Sequence, residues 1–190
     1  MAIHPTARIH EKALVDDCEI GPDTRVWAFA HVLPRAKVGA RCNLGESVFV
    51  ESGAVIGDEC IIKNGVAIWE GVELGHKVFI GPNAVFTNIG RPRAARKDLY
   101  RARFSKTYVA EGVTIGANAT IVCGISVGRY AFIGAGTVVL RDVPAYGLIV
   151  GNPGRLKGWV CRCAVRLNDN LECLECGQRY QKERDGLVEL

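Results

Sequence analysis

The chain has 190 residues, 48% of them apolar, with 24 Lys and Arg against 20 Asp and Glu for a net charge of +4. That is one main domain with room for a small appendage. No apolar run approaches the ~18 residues a membrane helix needs, and the opening Met-Ala-Ile-His-Pro-Thr-Ala lacks the basic-then-apolar layout of a secretory leader. A soluble cytoplasmic protein without membrane insertion is therefore expected.

Residues 3–19 read as a first, irregular coil around Ile3, Ile9 and Val15, with a one-residue slip before Ile20. From Ile20 an apolar residue returns at every sixth position: Val26, Val32, Val38, Leu44, Val50, Ile56, Ile62, Ile68, Leu74, Ile80, Phe86. Four places after each anchor comes a small or apolar follower, such as Thr24, Ala30, Cys42 and Cys60. No α-helix or ordinary strand has this period, but a parallel β-helix of hexapeptide repeats does, with three hexads completing a coil. Gly follows many anchors (Gly21, Gly39, Gly57, Gly75), where a tight corner suits a residue without Cβ. Stacking then follows from the eighteen-residue coil and the ~4.8 Å strand spacing. Glu70 should lie beside Asn88, Asp58 beside His76, Gly116 beside Gly134, and Ala117 beside Ala135.

Residues 87–107 leave the period, and a loop of this length in a compact domain is usually functional. They carry Arg91, Arg93, Arg96, Lys97, Arg101, Arg103 and Lys106 against Asp98 alone, so the rest of the chain is slightly acidic. Basicity this local predicts a site for a small anionic ligand, not a nucleic-acid face. Arg forks suit pyrophosphate and carboxylate; Arg93, Arg96 and Tyr100 are the candidate clamp. The period resumes at Val109, Ile115, Ile121, Val127, Ile133 and Val139, then stops at Gly151-Asn152-Pro153-Gly154.

The tail holds Cys161-x-Cys163 and Cys173-x-x-Cys176. Two close cysteine pairs fit a closed, four-thiolate structural zinc site, with disulfides disfavoured in a reducing compartment. Zinc would staple a tail too short to hold a core of its own. The division expected is a β-helix at 1–158 with the loop inserted, followed by a zinc-ribbon-like module at 159–190.

Several segments carry a resemblance: Ile3-His4-Pro5-Thr6-Ala7, Gly81-Pro82 with Phe86-Thr87-Asn88, Arg91-Pro92-Arg93, Arg96-Lys97-Asp98-Leu99-Tyr100-Arg101, Ile115-Gly116-Ala117-Asn118-Ala119-Thr120, and Gly151-Asn152-Pro153 followed by Gly158-Trp159. Over residues 3–160 the chain resembles the left-handed β-helix acyltransferases, closest to the sugar-nucleotide 3-N-acetyltransferases such as those acting on a UDP-linked 2-acetamido-3-amino-2,3-dideoxyglucuronate. The resemblance implies left-handed coils, a homotrimer, acetyl-CoA bound between subunits, and a nucleotide-linked amino sugar destined for surface polysaccharide.

On that reading a neutral amine attacks the thioester, and the oxyanion formed needs a donor. Asn88 offers its amide as donor or orienter, and Glu70 an acceptor for the amine; both also suit plain corner positions. Asp58 with His76 is the rival acid/base pair. Asn64 would reach the substrate from a neighbouring subunit. Gly116, Ala117, Gly134 and Ala135 form a smooth strip for CoA, with Arg155 and Lys157 for its phosphates. Two other readings are a non-enzymatic scaffold and a γ-type carbonic anhydrase; the latter needs three converging histidines, and the chain's four are scattered.

Overall fold

The computed structural model describes residues 2–99, 102 and 104–190. The anchors turn inward and stack: Ile20, Val32, Leu44, Ile62, Ile80, Ile115 and Ile133 are all buried, as are the followers Thr24, Ala30, Cys42 and Cys60. Each anchor closes a strand of two or three residues, and the strands assemble into three parallel sheets forming the faces of a triangular prism. Face A begins at Ala2–Ile3, face B at Arg8–Ile9, face C at Leu14–Val15. The fold is the parallel β-helix expected from the hexads, of the left-handed class that the resemblance implies.

The register bears out the stacking arithmetic. Val55 pairs with Glu73 and Ile61 with Phe79, while Ala2 pairs with Glu19, which records the slip before Ile20. Leu74 pairs with Val109 and Val85 with Thr120, so the coil bearing the loop is about twice as long in sequence as its neighbours. The loop leaves from the edge between faces C and A.

The corners divide their backbone demands between two positions. The residue with left-handed φ is the third after most anchors from Ile20 on, including Asp23, Phe29, Arg41, Asn83, Asn118 and Tyr130. The glycines directly after the anchors have ordinary φ and serve a different need. A Cβ on Gly21 would lie 2.6 Å from the backbone of Gly39, and one on Gly57 2.6 Å from that of Gly75. They are excluded-volume glycines, placed where one coil's corner rests on the next.

Buried Cys42 and Cys60 act as core filler whose thiols donate to the carbonyls of Gly57 and Gly75, both at 3.1 Å. No helix among the described residues is long and apolar enough to cross a membrane. At the C-terminal end, Gly147–Val150 extends face B and Arg155–Trp159 returns antiparallel beside it. That strand carries the chain through residue 158 without a break. The tail has its own small core of Tyr146, Cys161, Leu167, Cys173, Tyr180 and Leu187.

Candidate active site

Two groups of candidate residues occupy two edges of the prism. On the edge between faces C and A, Glu70 and Asn88 each stand two places past an anchor, on successive coils. The Asn88 amide Nδ2 donates to the Glu70 carbonyl at 3.5 Å, the long limit of a hydrogen bond. It is therefore weakly held and free to turn to a ligand. Glu70 is exposed, and its own amide donates to Glu51 Oε2 at 2.7 Å. Glu51 is a supporting residue that the period did not single out; applying the coil arithmetic to its corner places it within one residue of Glu70.

The loop is fixed at its root. Ile89 and Phe104 form an antiparallel bridge, and Phe104 lies so close over Gly71 that a Cβ there would meet its ring at 2.4 Å. Lys106 Nζ pairs with Glu73 at 3.2 Å. A short 3₁₀ segment, Ala94–Leu99, follows, kinked at Arg96. Arg93 lies exposed just before it. Arg96 grips Asp98 through Nη2 at 2.8 Å and Nε at 3.0 Å, and this guanidinium holds the Asp98 carboxyl below its ordinary range. Of the two candidate clamp arginines, then, Arg96 must exchange its partner before it can bind a ligand anion. Tyr100 lies outside the described residues.

The edge between faces B and C carries the second group. Asn64, Pro82, Ala117 and Ala135 stand one per coil in a single column, as the pairing of Ile62 with Ile80, Ile80 with Ile115 and Ile115 with Ile133 requires. Gly116 and Gly134 stack beside them, and a Cβ on Gly116 would fall 2.5 Å from the Ala135 nitrogen. The chain reaches this edge again at Gly154, whose amide donates to the Val138 carbonyl at 2.8 Å. Arg155 follows and lines a groove of about 270 Å³ with Arg141, Pro153 and Leu156. Lys157 is exposed at the bulge of the returning strand. Arg155, opposite Val150, thus stands at the end of the smooth strip, while Lys157 lies further back across face B.

The two edges are separated by face C, one hexad wide, or up to ~20 Å of extended chain. The outward residues of face C between them include Val85, Thr120 and Val138. Nothing in one chain brings Asn88 against Gly116 or Ala135.

Asp58 and His76, the rival pair, meet at a corner on the third edge. His76 Nδ1 accepts the Asp58 amide at 3.0 Å, and Asp58 Oδ1 accepts the Ala40 amide at 2.8 Å. Since Nδ1 is an acceptor there, it is not the proton donor that a carboxylate-oriented base requires. The Asp58 carboxylate lies 3.6 Å from that nitrogen.

In the tail, Cys161, Cys163, Cys173 and Cys176 converge, with all four sulfurs within 4.8 Å of one another. Sγ of Cys161 is 3.4 Å from that of Cys176, and Cys163 is 3.6 Å from Cys173. A tetrahedron of Zn–S bonds ~2.3 Å long has edges of about 3.8 Å, so the donor set and its spacing fit zinc. The Cys176 amide is the strongest influence on the Cys173 thiol; with the Glu175 amide it outweighs burial and brings the pKa to about 7. Such amide-to-sulfur bonds favour the thiolate a metal needs.

The fold and these columns define a hexapeptide-repeat transferase. The chain matches the family described as bacterial transferase hexapeptide (six repeats) over residues 17–52, 53–88 and 106–141, and it belongs to that family. It is 45% identical over 185 residues to dTDP-3-amino-3,6-dideoxy-alpha-D-galactopyranose 3-N-acetyltransferase of Aneurinibacillus thermoaerophilus, covering 96% of this chain and 94% of the relative. Coverage that complete takes in most of the cysteine-bearing tail. Among solved structures, UDP-N-acetylglucosamine acyltransferase from Campylobacter jejuni superposes with a TM-score of 0.56 at 17% identity, over 83% of this chain and 74% of that one. The acetyltransferase domain of PglB from Neisseria gonorrhoeae, in complex with acetyl coenzyme A, gives 0.50 at 23%, over 81% and 56%. These two likenesses concern the fold.

Proposed function

We propose that this acyltransferase moves the acetyl group of acetyl-CoA onto the 3-amino group of a nucleotide-linked 3-amino-3,6-dideoxyhexose. The observation that carries the reading is a near full-length relative of that activity at 45% identity, joined to a fold that presents both a smooth backbone strip and a basic loop. The same relative favours dTDP as the nucleotide and a deoxygenated carbon 6, in place of a UDP-linked glucuronate. The basic loop then serves the pyrophosphate, with Arg93 as the first anchor.

In the reaction the amine nitrogen bonds to the thioester carbonyl carbon, the C–S bond breaks, and CoA leaves as thiol with the proton the nitrogen sheds. Asn88 orients the amine or donates to the oxyanion, and Glu70 accepts from the amine. Neither Asp58 nor His76 takes part. Gly116, Ala117, Gly134 and Ala135 supply the wall for the pantetheine arm, and Arg155 and Lys157 meet its phosphates.

A homotrimer is the arrangement that joins the two edges, with the C/A edge of one copy against the B/C edge of the next. The outward sides of faces B and C support this: Leu14, Trp27, Ile61, Phe79 and Val85 are exposed there, an apolar expanse of the kind that marks contact surfaces. Face A exposes Val55 and Tyr108 as well, but it also carries ion pairs, Glu19 with Lys37 and Glu73 with Lys106. The four tail thiolates hold a structural zinc ion, closed to catalysis by its full set of protein ligands. Free buried thiols and a nucleotide-sugar substrate suit the cytoplasm and surface-polysaccharide synthesis.

The test is CoA release with dTDP- and UDP-linked 3-amino and 4-amino sugars, with the product's acetyl position read by NMR. Turnover highest on the dTDP-linked 3-amino-6-deoxy sugar is expected; absence of amine-dependent release would leave a scaffold as the reading.

A further inference from the structure

The returning strand Arg155–Trp159 is the last in its sheet, paired on one side alone, and most of it is exposed. What holds its far end is the tail. The Val160 amide donates to the Tyr146 carbonyl at 2.8 Å, the Leu167 amide to the Trp159 carbonyl at 2.9 Å, and Arg166 Nη2 to the Lys157 carbonyl at 3.1 Å. Cys161, the first thiolate of the cluster, comes two residues after this strand.

The cluster is tied in turn to the last coil. The Tyr180 hydroxyl donates to Cys161 Sγ at 3.1 Å and accepts the Arg162 amide at 3.1 Å. Its ring packs on Tyr146 with centroids 4.9 Å apart, and Tyr146 stacks on Tyr130 at 5.4 Å. The ribbon formed by Tyr180–Glu183 and Gly186–Glu189 also bonds the coil, the Ala145 amide donating to Asp185 at 3.0 Å and the Leu187 amide to Ala145 at 3.2 Å. At Gly186, with φ +131, a Cβ would lie 2.5 Å from both the nitrogen and the oxygen of Ala145. That close an approach marks a built docking contact.

A solenoid's end exposes unpaired backbone and core, and needs a cap. We infer that the metal-bound tail is that cap, and that zinc, by locking Cys161, holds residues 147–159 as the outermost part of the acetyl-CoA wall. The inference rests on the wall and the structural zinc assigned above. Two of the five tail residues in that buried core are themselves thiolate ligands, so the tail's packing and its metal form together or not at all.

The experiment is metal analysis and hydrogen exchange on the full chain, before and after zinc removal by chelation, with Zn²⁺ or Mg²⁺ added back. One zinc per chain is expected. Its removal should speed exchange at least tenfold in 161–190 and also in 147–159, restored by Zn²⁺ and not by Mg²⁺, since thiolates select the softer ion. Acetyl-CoA KM should rise with the nucleotide-sugar KM unchanged. Because a cysteine variant may lose the tail's fold, two further variants separate the parts. Tyr180→Phe keeps the ring and should weaken zinc retention about tenfold or more. Gly186→Ala keeps every thiol and strains only the contact with Ala145, so it should retain zinc and the protection at 147–159 while losing protection at 145 and 187. Absence of zinc, or exchange in 147–159 indifferent to it, overturns the inference. Metal content and exchange are read without turnover, so a failed acetyl-transfer reading would show separately, as absent CoA release on an intact, zinc-capped chain.

Discussion

Adding a single methyl to Gly116 tests the wall and its stacking together. The Cβ would sit 2.5 Å from the Ala135 nitrogen and 2.8 Å from its Cα, against an ordinary contact of ~3.5 Å. Every atom it meets is backbone, so two coils must part by about 1 Å, straining the Gly116-to-Ile133 hydrogen bond of 2.8 Å. Overpacking of this kind costs ~1–3 kcal/mol, and a chain this size loses ~2–4 °C of Tm per kcal/mol; a drop of several degrees follows. Gly57→Ala makes the same collision on the A/B edge, 2.6 Å from Gly75, and should cost a similar Tm. The kinetics should differ. Displacing positioning groups by 1 Å costs up to ~100-fold, so Gly116→Ala should lose roughly tenfold or more in kcat/KM for acetyl-CoA, while Gly57→Ala stays near wild type. Scanning fluorimetry with initial-rate kinetics decides it: equal kinetic losses would refute the assignment of the wall to the B/C edge, and no loss of Tm in either would refute the stacking.

Asn88→Ala should lower kcat by ~100-fold, the cost of an oxyanion donor, with Tm unchanged; an unaltered kcat removes it from the chemistry. Arg93→Ala should raise KM for the nucleotide sugar ~10-fold or more, as losing a hydrogen bond to a charged group does, and leave acetyl-CoA KM alone; equal effects on both substrates would count against the loop. Asp98→Asn should free the Arg96 fork and lower the nucleotide-sugar KM in steady-state assays; a higher KM would make the Arg96–Asp98 pair the working conformation. His76→Ala should cost only ~1 kcal/mol of stability, and a large fall in kcat would restore it as the base.

The coil was legible because its information is periodic. The anchors, the slip before Ile20, the pairing of Asp58 with His76 and the nearness of Asn88 to Glu70 all follow from counting by six and eighteen. Counting does not reveal what a side chain bonds. It placed His76 beside the Asp58 carboxylate, 3.6 Å away, but not the bond that the Asp58 backbone amide donates to the same imidazole nitrogen. It found the glycines at the corners, where a Cβ indeed has no room, but not the left-handed φ two residues further on, which residues as large as Phe29 and Tyr130 accept. The Arg96 grip on Asp98 was hidden because a kinked 3₁₀ turn brings together residues that a regular helix would point to different sides. In the tail the cysteine spacing announced the ligands, but docking through Tyr180 and Gly186 has no period to betray it.

The central claim is that one site is shared between chains, and mixed-subunit complementation measures it most directly. Asn88→Ala spoils the C/A edge, and Ala135→Glu, at an exposed position, sets a negative charge on the CoA wall of the B/C edge. Each alone should be nearly inactive. Unfolded together and reassembled at equal amounts, random closed trimers would place two intact edges face to face in about a quarter of the sites, recovering about that fraction of wild-type acetyl transfer. Activity no greater than the mean of the two parents would mean that each chain houses its own site, and the account would fail.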